Sequence, residues 1–195
     1  TLGILYNTRL VDEKVDSWDI LFNSKYSGQI IMENSVRDSF VPALKMLGYS
    51  INTDNTDELD EAEKILIEQR PMVQAYLLDS ARDEMIAENA AIALVYSGEA
   101  PYATEYNDDL AYVVPKEGSN VWVDSWAITK DCKNTENAEK FLNYLLEVEI
   151  SKISFEYNHY GTPNKKLAEI LPAKYTEDPA LFPPSDVLDN CEIFK

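Results

Sequence analysis

At 195 residues, 45% hydrophobic and 27% charged, the chain has the mass for a sizeable core in one large domain or two small ones. Its 35 acidic against 17 basic side chains give a net charge of -18. That argues against nucleic acid and anionic membranes, which need clustered Lys and Arg, and favours a cationic ligand.

Leu2 to Tyr6 reads as a strand and opens the chain as if mid-fold, so the sequence is expected to begin inside a longer protein. No apolar run is long enough to cross a membrane, and no stretch reads as a signal peptide. Ser17 caps a short helix with Trp18, Leu21 and Phe22 inward. Gln29 to Met32 is a buried strand. A capping-box-like start, Ser35-Val36-Arg37-Asp38, then leads into a helical stripe of Phe40, Leu44 and Leu47, with Gly48 ending it and Pro42 expected to kink it or delay its start. Thr56 to Gln69 is an acidic amphipathic helix, its run from Asp57 to Glu63 read as a solvated face, and Pro71 stops it. Met72 to Leu78 is a strand, Ser80 to Glu88 a helix, and Ala90 to Tyr96 a strongly apolar strand running into the turn Ser97-Gly98-Glu99-Ala100. Leu110 to Val114 is another strand. Thr135 to Glu147 is a helix with Ala138, Phe141, Leu142 and Leu145 on one face; Ser151 to Tyr157 is helical, and a short helix near Lys165 to Ile170 precedes a Pro-rich tail. Alternating strands and helices give an α/β architecture.

The segment Lys116 to Ile128 reads as a turn followed by a strand. Strand alternation then puts Trp122 and Asp124 on one face, an aromatic ring beside a carboxylate. Such a pair suits an organic cation, because the ring face attracts positive charge and the carboxylate accepts charge-assisted hydrogen bonds. A buried Asp among Val121, Trp122, Val123 and Trp126 would also need partners. Ligands of open α/β sheets bind outside the carboxyl ends of strands, where Tyr96, Glu99, Ser35 and Asp38 fall. Each has a plainer reading: Asp38 completes a helix cap, Glu99 is a first-turn acid favoured by the helix dipole, and Tyr96 and the loop residue Tyr160 are packing. Catalytic signals are weak. The single histidine, His159, reads as a loop or packing residue; there is no Gly-x-Ser-x-Gly elbow and no phosphate loop. Cys132 and Cys191 are in no metal or redox spacing and are taken as two free thiols.

The order of motifs resembles the spermidine/putrescine-binding proteins, the solute receptors of polyamine ABC importers. The resemblance runs through Ser17-Trp18-Asp19-Ile20-Leu21-Phe22, Lys25-Tyr26-Ser27-Gly28, Ser35 to Phe40, Leu47 to Thr53, Val95-Tyr96-Ser97-Gly98-Glu99-Ala100, Val113 to Gly118 with Trp122-Val123-Asp124-Ser125, and Tyr160-Gly161-Thr162-Pro163-Asn164. It implies a type II periplasmic-binding-protein fold, a non-catalytic role without a cofactor, an extracytoplasmic location, and a polyamine passed to permease subunits in the membrane. It places the family's aromatic-x-Asp pair on Trp122 and Asp124, the strand-end aromatic on Tyr96, an acid on Glu99, the helix-start acid on Asp38 and the loop tyrosine on Tyr160. A second acid of spermidine binders falls on Ser35, so a shorter diamine is the expected preference. The resemblance also implies roughly a hundred further residues before this chain, a domain-sized piece. Residues 8–115 with 165–195 would then form the second lobe, and 1–7 and 116–164 a remnant of the first lobe with the crossovers. Two expectations follow: weak or no binding by the chain alone, and self-association through uncovered apolar surface. The alternatives are the same fold with another organic cation or a metal, a carboxylate-dependent hydrolase using Asp124 and Glu99, and an interaction module docking through its acidic surface.

Overall fold

The computed structural model describes residues 1–195. Five strands form one mixed sheet in the order β3-β2-β4-β1-β5: β1 (Leu2–Asn7), β2 (Ile30–Glu33), β3 (Val73–Leu77), β4 (Ile92–Tyr96) and β5 (Leu110–Val113). β2 runs parallel to β3 and β4, while β1 lies antiparallel between β4 and β5. The burial of each strand follows its place. The interior strands β2 and β4 are buried on both faces and read as continuous apolar runs, whereas the edge strand β3 alternates.

Alternation divides the core in two. Leu2, Ile4, Ile30, Met32, Ile92 and Leu94 share one face with Trp18 and Val41. Leu5, Ile31, Ala93 and Val95 share the other with Ala81, Met85, Ala100 and Ala103. The small residues of that second face let α3 (Ser80–Ile86) and α4 (Glu99–Tyr106) lie close to the sheet. On the first face, α1 (Val36–Met46) packs against α2 (Thr56–Gln69), with Ala43, Leu44 and Ala62 between them. The C-terminus of α1 is a Schellman motif. Gly48 takes φ +79°, its N–H donates to the Lys45 carbonyl, and the Tyr49 N–H donates to the Leu44 carbonyl. Asp57, Asp60, Glu61 and Glu63 of α2 are exposed, as a solvated face should be.

Several expectations are corrected. Pro42 does not delay α1, which starts at Val36 behind the Ser35 cap. Leu2–Asn7 is hydrogen-bonded on both sides within the sheet, between β4 and β5. The strand expected after Asn120 does not form, for it has no ladder partner. Its only pairing is an isolated bridge from Asn120 to Glu192, and Val123 through Ala127 are all exposed in place of alternating. In α5 (Thr135–Leu145) no residue is buried: of the stripe, Phe141 is exposed and Ala138, Leu142 and Leu145 are only partly covered. α6 (Val148–Asn158) buries only Phe155, which packs with Leu167 of α7 (Lys165–Ile170), Leu171 and Leu181. The start of the tail therefore packs on 116–164, while Glu192 packs on the sheet side through its ion pair with Lys45 at 2.7 Å.

Residues 116–120 tie the later segment to the sheet. The Lys116 N–H donates to the Asp16 carbonyl at 3.0 Å, and Trp18 Nε1 donates to the Gly118 carbonyl at 2.8 Å. Ser119 Oγ donates to the Leu2 carbonyl at 2.7 Å, and the Leu2 N–H donates to Asn120 Oδ1 at 3.0 Å.

Candidate functional site

The expected residues converge where β2, β4 and the 119–124 segment meet. Tyr96 ends β4, and its ring meets Trp122 edge-on, centroids 5.3 Å apart and planes at 81°. Tyr160 stands on the other side of Trp122 at 6.5 Å and 59°. Tyr160 can approach because Gly98 has no side chain: a Cβ there would lie 2.3 Å from the Tyr160 ring. The three rings form an angled aromatic wall. T-shaped pairs of this kind favour the arrangement by about 0.5–1.5 kcal/mol beyond area burial.

Asp38 closes the wall from the α1 side. Its N–H is capped by Ser35 Oγ at 3.4 Å, but its carboxylate turns away from the helix terminus. Asp38 Oδ2 accepts from the Tyr96 hydroxyl at 2.8 Å and Oδ1 from Asn120 Nδ2 at 3.4 Å. The cap and the Tyr96–Asn120 contacts thus use different atoms of Asp38, with the Ser35 hydroxyl accepting in the cap. Glu99, first residue of α4, is half-buried and meets Arg82 Nη1 at 2.9 Å. Burial still holds its carboxyl above the usual range, opposed by Arg82.

Trp122, Asp124 and Tyr160 line an open cavity of about 1090 Å³, together with Trp126, Ser97 and Phe182. Asp124 is exposed in it, which corrects the picture of a buried strand Asp in need of partners. Ser35, Asp38, Tyr96 and Glu99 lie outside the cavity lining, the middle pair joined to it through the Trp122 contact. The Tyr160 hydroxyl is pushed up to about 12, by burial first and then by Glu99, Asp79, Asp124 and Glu33.

Two polar residues escaped sequence reasoning. Asn120, buried, bridges the Leu2 backbone and Asp38 and so sets the distance between sheet and wall; nothing in its spacing marks it. Glu33 is buried at the carboxyl end of β2, and its Oε2 has no hydrogen-bond partner. An acid closing the run Ile30-Ile31-Met32 was a legible signal. Burial, then Asp38, Asp79 and Glu99, push its carboxyl up to about 8. No three His, Cys, Asp or Glu side chains gather in a metal-binding group. Cys132 and Cys191 are free. His159 caps α6 in the left-handed region and meets Tyr102 edge-on at 6.2 Å.

Residues 1–183 match the family described as bacterial extracellular solute-binding protein. The chain belongs to that family. Among relatives, it is 32% identical to the spermidine/putrescine-binding periplasmic protein of Escherichia coli over 95% of this chain and 54% of that protein. It is 29% identical to the putrescine-binding periplasmic protein SpuD of Pseudomonas aeruginosa over 100% of this chain and 58% of that one. Among solved structures, it superposes on the spermidine/putrescine ABC transporter substrate-binding protein PotD of Streptococcus pneumoniae with a TM-score of 0.91 at 36% identity, covering 100% of this chain and 60% of that one. The chain thus spans a little over half the length of the curated relatives it matches. The solute-binding family accounts for a ring-walled cavity without a catalytic constellation. It also fixes the fold as that of the periplasmic binding proteins, of which the mixed sheet is one α/β lobe.

Proposed function

We propose that this chain is part of a solute-binding component of an ABC importer that captures a polyamine outside the cytoplasm and delivers it to membrane permease subunits, without catalysis. The observation that carries the reading is the aromatic wall of Tyr96, Trp122 and Tyr160 flanked by the carboxylates of Asp38 and Asp124. An ammonium against a ring face gains about 0.5–2 kcal/mol, more when desolvated. A carboxylate at each end offsets the cost of taking the charge from water. Trp122 and Tyr160 form the wall, Asp124 anchors one ammonium from the cavity side, and Asp38, oriented by Tyr96 and Asn120, anchors the other. Glu99 tunes the field through Arg82, and Ser35 offers a hydroxyl where a carboxylate would favour a third amine. The names of the relatives, which specify spermidine and putrescine, support the ligand class.

The division we favour takes residues 1–120 with the end of the tail as the sheet lobe and 121–164 with most of 165–182 as a second unit of the cleft, supported by the packing of Phe155 with Leu167, Leu171 and Leu181, while Ala180 packs in the sheet's core. The test is a thermal-shift screen of the full-length protein carrying this chain against putrescine, spermidine and spermine, since a ligand of the native state raises the melting temperature. Stabilisation by polyamines but not by monoamines or sugars supports the reading. No shift with any polyamine at millimolar concentration refutes it.

A further inference from the structure

Glu33 is a buried carboxyl that the contacts above do not use. It ends β2 on the same side of the sheet as Ile31, towards α3 and α4. It is 2% exposed, and its Oε2 is unpartnered. Its backbone is well held, the carbonyl accepting from Ser39 Oγ at 2.7 Å, so the side chain is fixed at its root. The groups whose charge reaches it from the surrounding elements are mostly acids or phenols: Asp38 of α1, Asp79 after β3, Glu99 of α4, Tyr96 of β4 and Tyr160 of the 158–164 loop. The basic group on this side is Arg82 of α3, and it is already paired with Glu99 and Asp83. A cation is what this end of the sheet lacks.

We propose that Glu33 is a further ligand-binding residue of the site, its carboxylate receiving an ammonium group of an organic polycation that has passed the Trp122–Tyr160 rings. The inference rests on the polyamine reading above and adds a coupling to it. In the empty site near neutral pH, Glu33 carries its proton, because burial and the three acids favour the neutral form. An arriving ammonium reverses that balance: the carboxyl O–H breaks, the proton leaves to buffer, and the carboxylate pairs with the cation. Capture therefore releases a proton, and affinity rises with pH until Glu33 is ionised in the empty protein, at about 8. The ligand does not confound this, because alkylammonium groups resemble Lys and stay charged well above that pH.

The test is calorimetry on the full-length protein with putrescine, in two buffers of different ionisation enthalpy, at pH 6 to 9. The wild type is expected to release about one proton per ligand near pH 7 and to gain roughly tenfold or more in affinity from pH 6 to pH 8. Glu33→Gln should lose about tenfold at pH 8.5, release no proton and show a flat profile. Wild-type binding without proton release, matched by Glu33→Gln at every pH, overturns the proposal and leaves the polyamine reading standing. If Glu33→Gln fails to fold, judged by its melt, the wild-type proton count decides alone: zero overturns the proposal. Absence of putrescine and spermidine binding at every pH overturns both.

Discussion

Residues 1–120 and the segment from 121 to 164 are built from similar proportions of apolar residues and end in opposite states. In the sheet, Leu2, Ile4, Leu5, Ile30, Ile31, Met32, Ile92 and Leu94 are all fully buried. In residues 121–164, Phe155 is the only buried side chain, while Val123, Trp126, Phe141, Leu146, Ile153 and Tyr157 are more than half exposed. Propensity does not separate them, since α5 and α6 form as regular helices. What separates them is a partner surface: the strands cover one another and are covered on both faces, whereas the stripe on α5 is covered only in part, by α6. An amphipathic pattern specifies a helix but not what lies over it. The rings of the aromatic wall come from both regions, Tyr96 from the packed one and Trp122 and Tyr160 from the open one.

That contrast orders the predictions. Leu94→Ala in β4 should destabilise the fold by about 3–4 kcal/mol in a denaturant melt, while Phe141→Ala should change it by less than about 0.5 kcal/mol. Equal costs would show that the stripe is covered after all. Next in size is pH. The carboxyl of Glu33 is raised from 4.5 to about 8, so the native state holds a proton that the unfolded state has lost. Its stabilising effect is complete below pH 4.5 and is lost as pH rises through about 8. Glu33→Gln should therefore melt higher than wild type at pH 9, by on the order of 1–3 kcal/mol, and the gap should narrow towards pH 5. A constant gap would contradict that account.

Gly48→Ala should cost about 1 kcal/mol, because a Cβ is strained at φ +79°. Smallest in stability but visible in solution is the open stripe. The 195-residue chain should self-associate as concentration rises, and Leu146→Glu with Ile153→Glu should return it to monomer with little change in the sheet's melt. A monomer at all concentrations would count against an uncovered face.

Much of this was legible in the sequence, and the failures share a cause. The buried strands, the capped start of α1 and the Gly48 stop follow from short-range patterns. The missing strand after Asn120 does not, because a strand exists only with a neighbour to pair with, and local alternation cannot supply one. The position of β1 in the sheet was hidden for the same reason: its pairing with β4 and β5 is not local in sequence. Asp38 shows the converse. Cap and ligand readings looked exclusive, yet the structure gives its N–H to the cap and its carboxylate to Tyr96 and Asn120. Glu33 was passed over because an acid closing an apolar strand resembles the first residue of a loop.

The polyamine site itself is tested most directly by titrating putrescine into the full-length protein and its Trp122→Ala and Asp124→Asn variants by calorimetry. The account predicts measurable binding by the wild type, a loss of about a hundredfold in Trp122→Ala and of more than about tenfold in Asp124→Asn, with melts unchanged. Wild-type affinity retained in both variants would contradict it.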